Sequence, residues 1–217
     1  NFEENKYCKI FPNEEFMYKE YAVYQPLQRR GVLDAESIER LRTSSYFTSN
    51  SSIFNEMDFE QLKEMNPRSA ADEKKYQKYL AGQQFVADVL TILEANRSDR
   101  IFMDYSEFEK YLKSLLGKVE GMSASRLTGI AMVLAVMDKT AVIQKDRKGE
   151  IIKDTTTKDT EIIKLTQNPE KYFEAEVYPH VPDAIWAYEF DPEKKESATN
   201  KEKLGAEFPF TRFFYEY

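Results

Sequence analysis

The chain has 217 residues, 41% hydrophobic and 14% aromatic, enough apolar content for one good core or two small ones. Its net charge of −7 is spread along the sequence, which argues against a freestanding nucleic-acid binder, because such affinity comes from clustered Lys and Arg. No apolar run approaches the roughly 20 residues that cross a bilayer. The opening NFEENKYCKI has neither a basic lead nor an apolar signal region, and Cys8 stands alone, so the expected setting is the reducing cytoplasm with no membrane partner.

The first element is an extended segment over residues 1–30. Within it, KIFPNEEFMYKEYAVYQPL reads as two extended runs around the turn Pro12-Asn13-Glu14. Tyr18, Tyr21 and Val23 lie in the second run, which Pro26 ends. The short basic clusters QRRG at 28–31 and KDRKG at 145–149 read as solvated loops.

Residues 31–137 carry helical spacing. Asp34 caps a short helix with Ile38 and Leu41 inward, and the Ser/Thr/Asn-rich stretch 42–52 reads as a loop. Phe59 and Leu62 belong to another short helix that stops near Pro67. The longest helix runs from about Ala71 to Ala95, with Tyr76, Tyr79, Leu80, Val86, Leu90 and Leu93 along one stripe; Phe85, Val89 and Ile92 widen it. In DYSEFEKYLKSLLG, Asp104 and Glu107 form a capping box, Phe108, Tyr111, Leu112, Leu115 and Leu116 form one face, and Gly117 is the expected left-handed stop. Ser123 then caps ASRLTGIAMVLAVM, antiparallel to the helix before it.

Residues 138–217 change character again. AVIQKDRKGEIIK has two β-branched runs around a turn at Gly149. Asn168 and Pro169 open a last helix with Tyr172, Phe173 and Val177 inward, ended by Pro179 and Pro182. The polar stretch 191–203 reads as mobile. The chain closes on GAEFPFTRFFYEY, an aromatic strand that needs a surface to lie on. The fold class expected from these elements is α+β, mainly α, a helical bundle-like core with small β-hairpins in the N-terminal and C-terminal thirds.

Chemical equipment is sparse. His180 is the sole histidine, without a Cys/His cluster for zinc or a G-x-S-x-G elbow for a triad. The seven glycines form no dinucleotide or phosphate loop. The carboxylates alternate with Lys on helix surfaces, as in FEKYLK, which marks a solvated face. The residues therefore give no catalytic, cofactor-binding or metal-binding candidates. The aromatic closing run supplies the interface candidates Phe208, Phe210, Arg212, Phe213, Phe214 and Tyr215.

Three segments together resemble the modification (M) subunit of type I restriction-modification systems. They are KIFPNEEFMYKEYAVYQPL at 9–27, KDTEIIKLTQNPEKYFEAEVYPHVPDAIW at 158–186, and the closing run at 205–217, in the family's order and rough spacing. The resemblance implies an S-adenosylmethionine-dependent adenine-N6 DNA methyltransferase as the parent protein, working with specificity and restriction subunits and meeting DNA through the full complex. It also implies that the methyl-donor loop and the Asn-Pro-Pro-Phe/Tyr motif for the flipped adenine lie upstream. Here Asn66-Pro67 is followed by Arg68 and Asn168-Pro169 by Glu170, so neither completes that motif. The chain departs from the family pattern at Phe16-Met17-Tyr18, at Gln25-Pro26-Leu27-Gln28, where two arginines are missing, and at Ile185, which displaces Trp186 by one. The expectation is a structural and docking fragment, inactive alone and with no cofactor of its own. The alternative is an independent helical protein-interaction adaptor unrelated to methylation.

Overall fold

A computed structural model describes residues 3–4, 10–188 and 204–208. In chain order the elements are strands β1 (Met17–Pro26) and β2 (Arg29–Leu33), helices α1 (Ala35–Thr43) and α2 (Ser45–Thr48), and short strands β3 (Ser49–Asn50) and β4 (Phe54–Asn55). Helices α3 (Glu56–Glu64) and α4 (Ala70–Ala95), strand β5 (Ser98–Phe102), and helices α5 (Tyr105–Leu116) and α6 (Ala124–Leu134) follow. The remainder is β6 (Val136–Met137), β7 (Lys153–Lys164), α7 (Pro169–Tyr172), β8 (Ile185–Tyr188) and β9 (Leu204–Ala206). About 45% of the described residues are helical and 26% are in strands, so the architecture mixes helices with small antiparallel sheets. Contacts divide the chain into two compact units, Asn1–Pro26 with Ile152–Tyr217, and Leu27–Ile151.

The first unit is built on β1. β7 pairs along one edge of β1, from Tyr18 opposite Lys164 to Pro26 opposite Lys153. Along its other edge β1 pairs with β8 at Tyr21–Tyr24 and with β9 at Met17–Lys19. This corrects the expected N-terminal hairpin. Asn13–Glu15 is a single 3-10 turn leading into the strand, and the three-residue KIF run is too short to match the ten residues of β1. The central position of β1 explains why the consecutive residues Tyr21, Ala22 and Val23 are all buried.

β7 is not visible as a strand in the sequence because KDTTTKD is polar and irregular. The register breaks between Val23 and Gln25, and threonines satisfy the interrupted ladder. The Gln25 amide donates to the Thr157 hydroxyl at 3.0 Å, and that hydroxyl donates to the Asp154 carbonyl. The buried Asp154 carboxylate accepts from both the amide and the hydroxyl of Thr156. A bulge carried by side-chain hydrogen bonds leaves no period-2 pattern to read.

The core of this unit is aromatic. Phe173 and Trp186 stack at 4.8 Å with ring planes 8° apart, and Tyr21 meets both edge-on. Val23, Ile163 and Val177 are buried with Tyr21 and Phe173, and Trp186 packs against them partly buried. Asn168 caps α7 by accepting from the Lys171 amide, with Pro169 at the first helical position, as the sequence indicates. The helix then widens into a π-turn, Phe173–Val177, which points Phe173 and Val177 into the core.

The second unit places α1, α4, α5 and α6 around Ile38, Leu41, Phe85, Val89, Leu93, Phe108 and Leu112. Asp34 and Ser123 cap α1 and α6 as expected. Arg40 donates to the Val133 and Leu134 carbonyls, covering the C-terminal end of α6. That helix stops at Leu134 rather than Met137, because Val136 and Met137 pair with Arg30 and Arg29 of β2. Gly117 stays right-handed at φ −61°, and the chain reverses at Gly121, φ +79°. Part of the expected 42–52 loop is helical, with Phe47 of α2 buried.

The buried line of α4 is Tyr79, Gly82, Phe85, Val89 and Leu93, while Leu80 of the expected stripe is exposed. Gly82 decides this line. A Cβ there would overlap the Ile53 carbonyl, so the helix can approach that backbone only through a glycine. Gly82→Ala is expected to cost about 3 kcal/mol, because a backbone group cannot move aside as a side chain can. Urea unfolding checks this, and an unchanged midpoint would contradict the packing described.

Candidate functional site

The interface candidates direct attention to the end of the first unit where β9 lies beside the start of β1. Of these residues the structure describes Phe208; Phe210, Arg212, Phe213, Phe214 and Tyr215 lie outside the described residues. Phe208 is 55% exposed and packs against Phe16, with ring centroids 4.9 Å apart. The 3-10 turn brings Phe11 edge-on to Phe16 at 5.8 Å, so three rings form a continuous ladder. The Glu207 amide donates to the Phe16 carbonyl at 2.9 Å, extending the β9 pairing up to Phe208. Gly205 lies under the far end of the Tyr18 ring, so the absent Cβ lets that ring lie across β9 as it pairs with β1.

Beside this ladder is a cleft of about 450 Å³, walled by Glu15, Phe16, Tyr18, Ile162, Lys164 and Glu207 among others. The Lys164 ammonium stands 3.7 Å from the Glu15 carboxylate on its rim, with both side chains more than a third exposed. Aromatic walls, a half-exposed Ile162 and a screened charge pair suit burial by another surface more than chemistry on a small molecule. His180 is exposed, with its amide donating to the Val177 carbonyl. Among the described residues no three His, Cys, Asp or Glu side chains are arranged to hold a metal.

The second unit has a larger open groove of about 740 Å³. Phe47, Phe54, Val86 and Leu90 form its floor, and Arg42 and Glu94 join across one end at 3.1 Å. The QRRG cluster is not a solvated loop. Gln28 is buried, donating through Nε2 to the Lys139 and Ala141 carbonyls at 2.8 and 2.7 Å. Arg29 and Arg30 belong to β2, and Arg30 pairs with Asp138 at 3.1 Å. Strand pairing with β5 and β6 draws these residues in, a long-range cause that the local composition does not show.

Two tyrosines have displaced titrations. Burial pushes Tyr172 up to about 12, reinforced by its hydrogen bond to Glu161, where the hydroxyl donates to Oε2 at 2.9 Å. Burial also pushes Tyr105 up to about 12, with Glu109 adding to the rise and Arg29 opposing it. The Tyr105 hydroxyl is buried without a hydrogen-bond partner. Glu161 was not among the sequence candidates, since a carboxylate on a polar strand gives no sign of the ring that will reach it.

No known protein family, curated protein or solved structure matches the chain. Two tyrosine substitutions test the geometry. Tyr172→Phe is expected to cost about 1 kcal/mol at neutral pH through the lost Glu161 bond, whereas Tyr105→Phe leaves stability unchanged or raised. A raised tyrosine pKa contributes stability that is intact below 10 and lost as pH climbs through about 12. Urea midpoints should therefore fall across that window, and a flat profile would contradict the raised titration of both hydroxyls.

Proposed function

We propose that this chain is the scaffold and docking portion of the modification (M) subunit of a type I restriction-modification system. The parent enzyme transfers a methyl group from S-adenosylmethionine to adenine N6 in DNA. The reading is carried by the sheet of the first unit. The segments that resemble the family supply β1, the end of β7 with α7 and the start of β8, and the last residues of β9. Stretches distant in sequence that share the family's order also share one sheet, as expected if they form a single inherited module.

On this reading the methyl-donor site and the adenine pocket belong to another part of the subunit, and this portion is inactive alone. It is cytoplasmic. The Phe11, Phe16 and Phe208 ladder is the surface that meets neighbouring parts of the subunit or its specificity and restriction partners. Large rings with exposed faces are the commonest anchors of such contacts. The helix-rich second unit is a bundle-like platform that supports docking, and DNA is met through the assembled complex. Among the described residues, no helix is long and apolar enough to cross a membrane.

Two measurements test this. The chain should co-purify with a type I specificity subunit expressed with it, and Phe208→Ala should weaken that association about tenfold without lowering thermal stability. Calorimetric titration with S-adenosylmethionine should give no saturable heat. Saturable micromolar binding, or no association with the specificity subunit, would contradict the proposal.

A further inference from the structure

Residues 138–150 form a hydrogen-bonded excursion whose charges are unequally committed. The Asp138 carboxylate is occupied by Arg30 at 3.1 Å and by the Thr140 amide and hydroxyl, which hold its pKa below the ordinary value. At the tip, Asp146 Oδ1 accepts from the Lys148 and Glu150 amides at 2.8 and 2.9 Å. The Gly149 amide donates to the Asp146 carbonyl, and the Asp146 amide to the Glu150 carbonyl. Gly149 has φ +86°, the left-handed residue that closes such a turn, and nothing lies within 4 Å of the position a Cβ would take. Below the tip, Lys145 bridges to Ile151, and the Gln144 amide donates to the Leu27 carbonyl.

Two of the segment's three carboxylates are thus committed, to an ion pair with its hydroxyl partner or to the turn itself, and Glu150 alone is left over. Lys139, Lys145, Arg147 and Lys148 are exposed, and none of them forms an ion pair among the described residues. A chain of net charge −7 therefore presents a local cationic tip. Its backbone is fixed by its own hydrogen bonds, so little ordering entropy remains to be lost on contact.

We infer that the hairpin tip at Lys145, Arg147 and Lys148 is a contact for the phosphate backbone of duplex DNA. Residues 144–150 carry no apolar side chain, so the tip lacks the anchor that a protein partner's affinity depends on. Phosphate contact needs only cations held in place, and it positions a duplex without reading its bases. The inference rests on the reading of this chain as part of a DNA-modifying complex. It adds a contact that the −7 total conceals, since residues 145–150 set three cations against two carboxylates.

The test uses the whole chain, a short fluorescein-labelled duplex and, as a competitor, polyglutamate. Anisotropy titrations over a salt series compare wild type with the double variant Arg147→Ala/Lys148→Ala. Removing two phosphate contacts should lower the slope of log K against log salt by about 1.8 and weaken binding by about ten- to a hundredfold near 0.1 M salt. Thermal stability and association with the specificity subunit should be unchanged, so a failure here is separable from a failure of the proposed function. Equal slopes and affinities for the two proteins, no salt-dependent binding by wild type, or tighter binding of polyglutamate than of duplex would each overturn the inference.

Discussion

Antiparallel pairing on both edges of β1 is the constraint on which the first unit depends. A ten-residue strand with three consecutive buried positions cannot be satisfied by its sequence neighbours. Its amides and carbonyls need ladders on both sides, because an unpaired buried backbone group costs as much as a lost hydrogen bond. β7 supplies one ladder, and β8 with β9 supplies the other. The aromatic cluster of Tyr21, Phe173 and Trp186 and the ring ladder ending at Phe208 both follow from that arrangement.

The second unit is an insertion within the sequence of the first. Pro26 stands opposite Lys153 in the β1 and β7 register, so the chain leaves the sheet and returns to it at neighbouring points. A segment that departs and returns in this way can grow without disturbing the ladder. Leu27–Ile151 has its own hydrophobic core, its own capped helices and its own three-stranded sheet. The close approach of Gly82 to the Ile53 carbonyl and the hydrogen-bonded tip at Asp146 both lie inside that unit.

Features with a local cause could be read from the sequence. Asp34, Ser123 and Asn168 are caps because each side chain reaches the amide three residues ahead, an interaction contained within four residues. The inward faces of α1, α3 and α5 follow helical spacing in the same way. Long-range causes stayed hidden. KDTTTKD is a strand because β1 and its own threonines make it one, and QRRG is drawn into a sheet by β5 and β6. The α4 stripe shifted because Gly82 sets the depth of contact, and glycine counts for nothing in an apolar pattern. Of the interface candidates Phe208 is seen in contact with Phe16, a pairing made by β9 that aromatic composition alone could not supply.

The central claim is that the segments flanking the helix-rich unit form one sheet module by themselves. The most direct measurement replaces residues 27–151 with a short Gly-containing turn and follows Trp186, the chain's single tryptophan, by fluorescence during urea unfolding. A self-standing sheet gives blue-shifted emission from a ring packed on Phe173 and one cooperative transition. Emission typical of a solvated indole with no transition would contradict it.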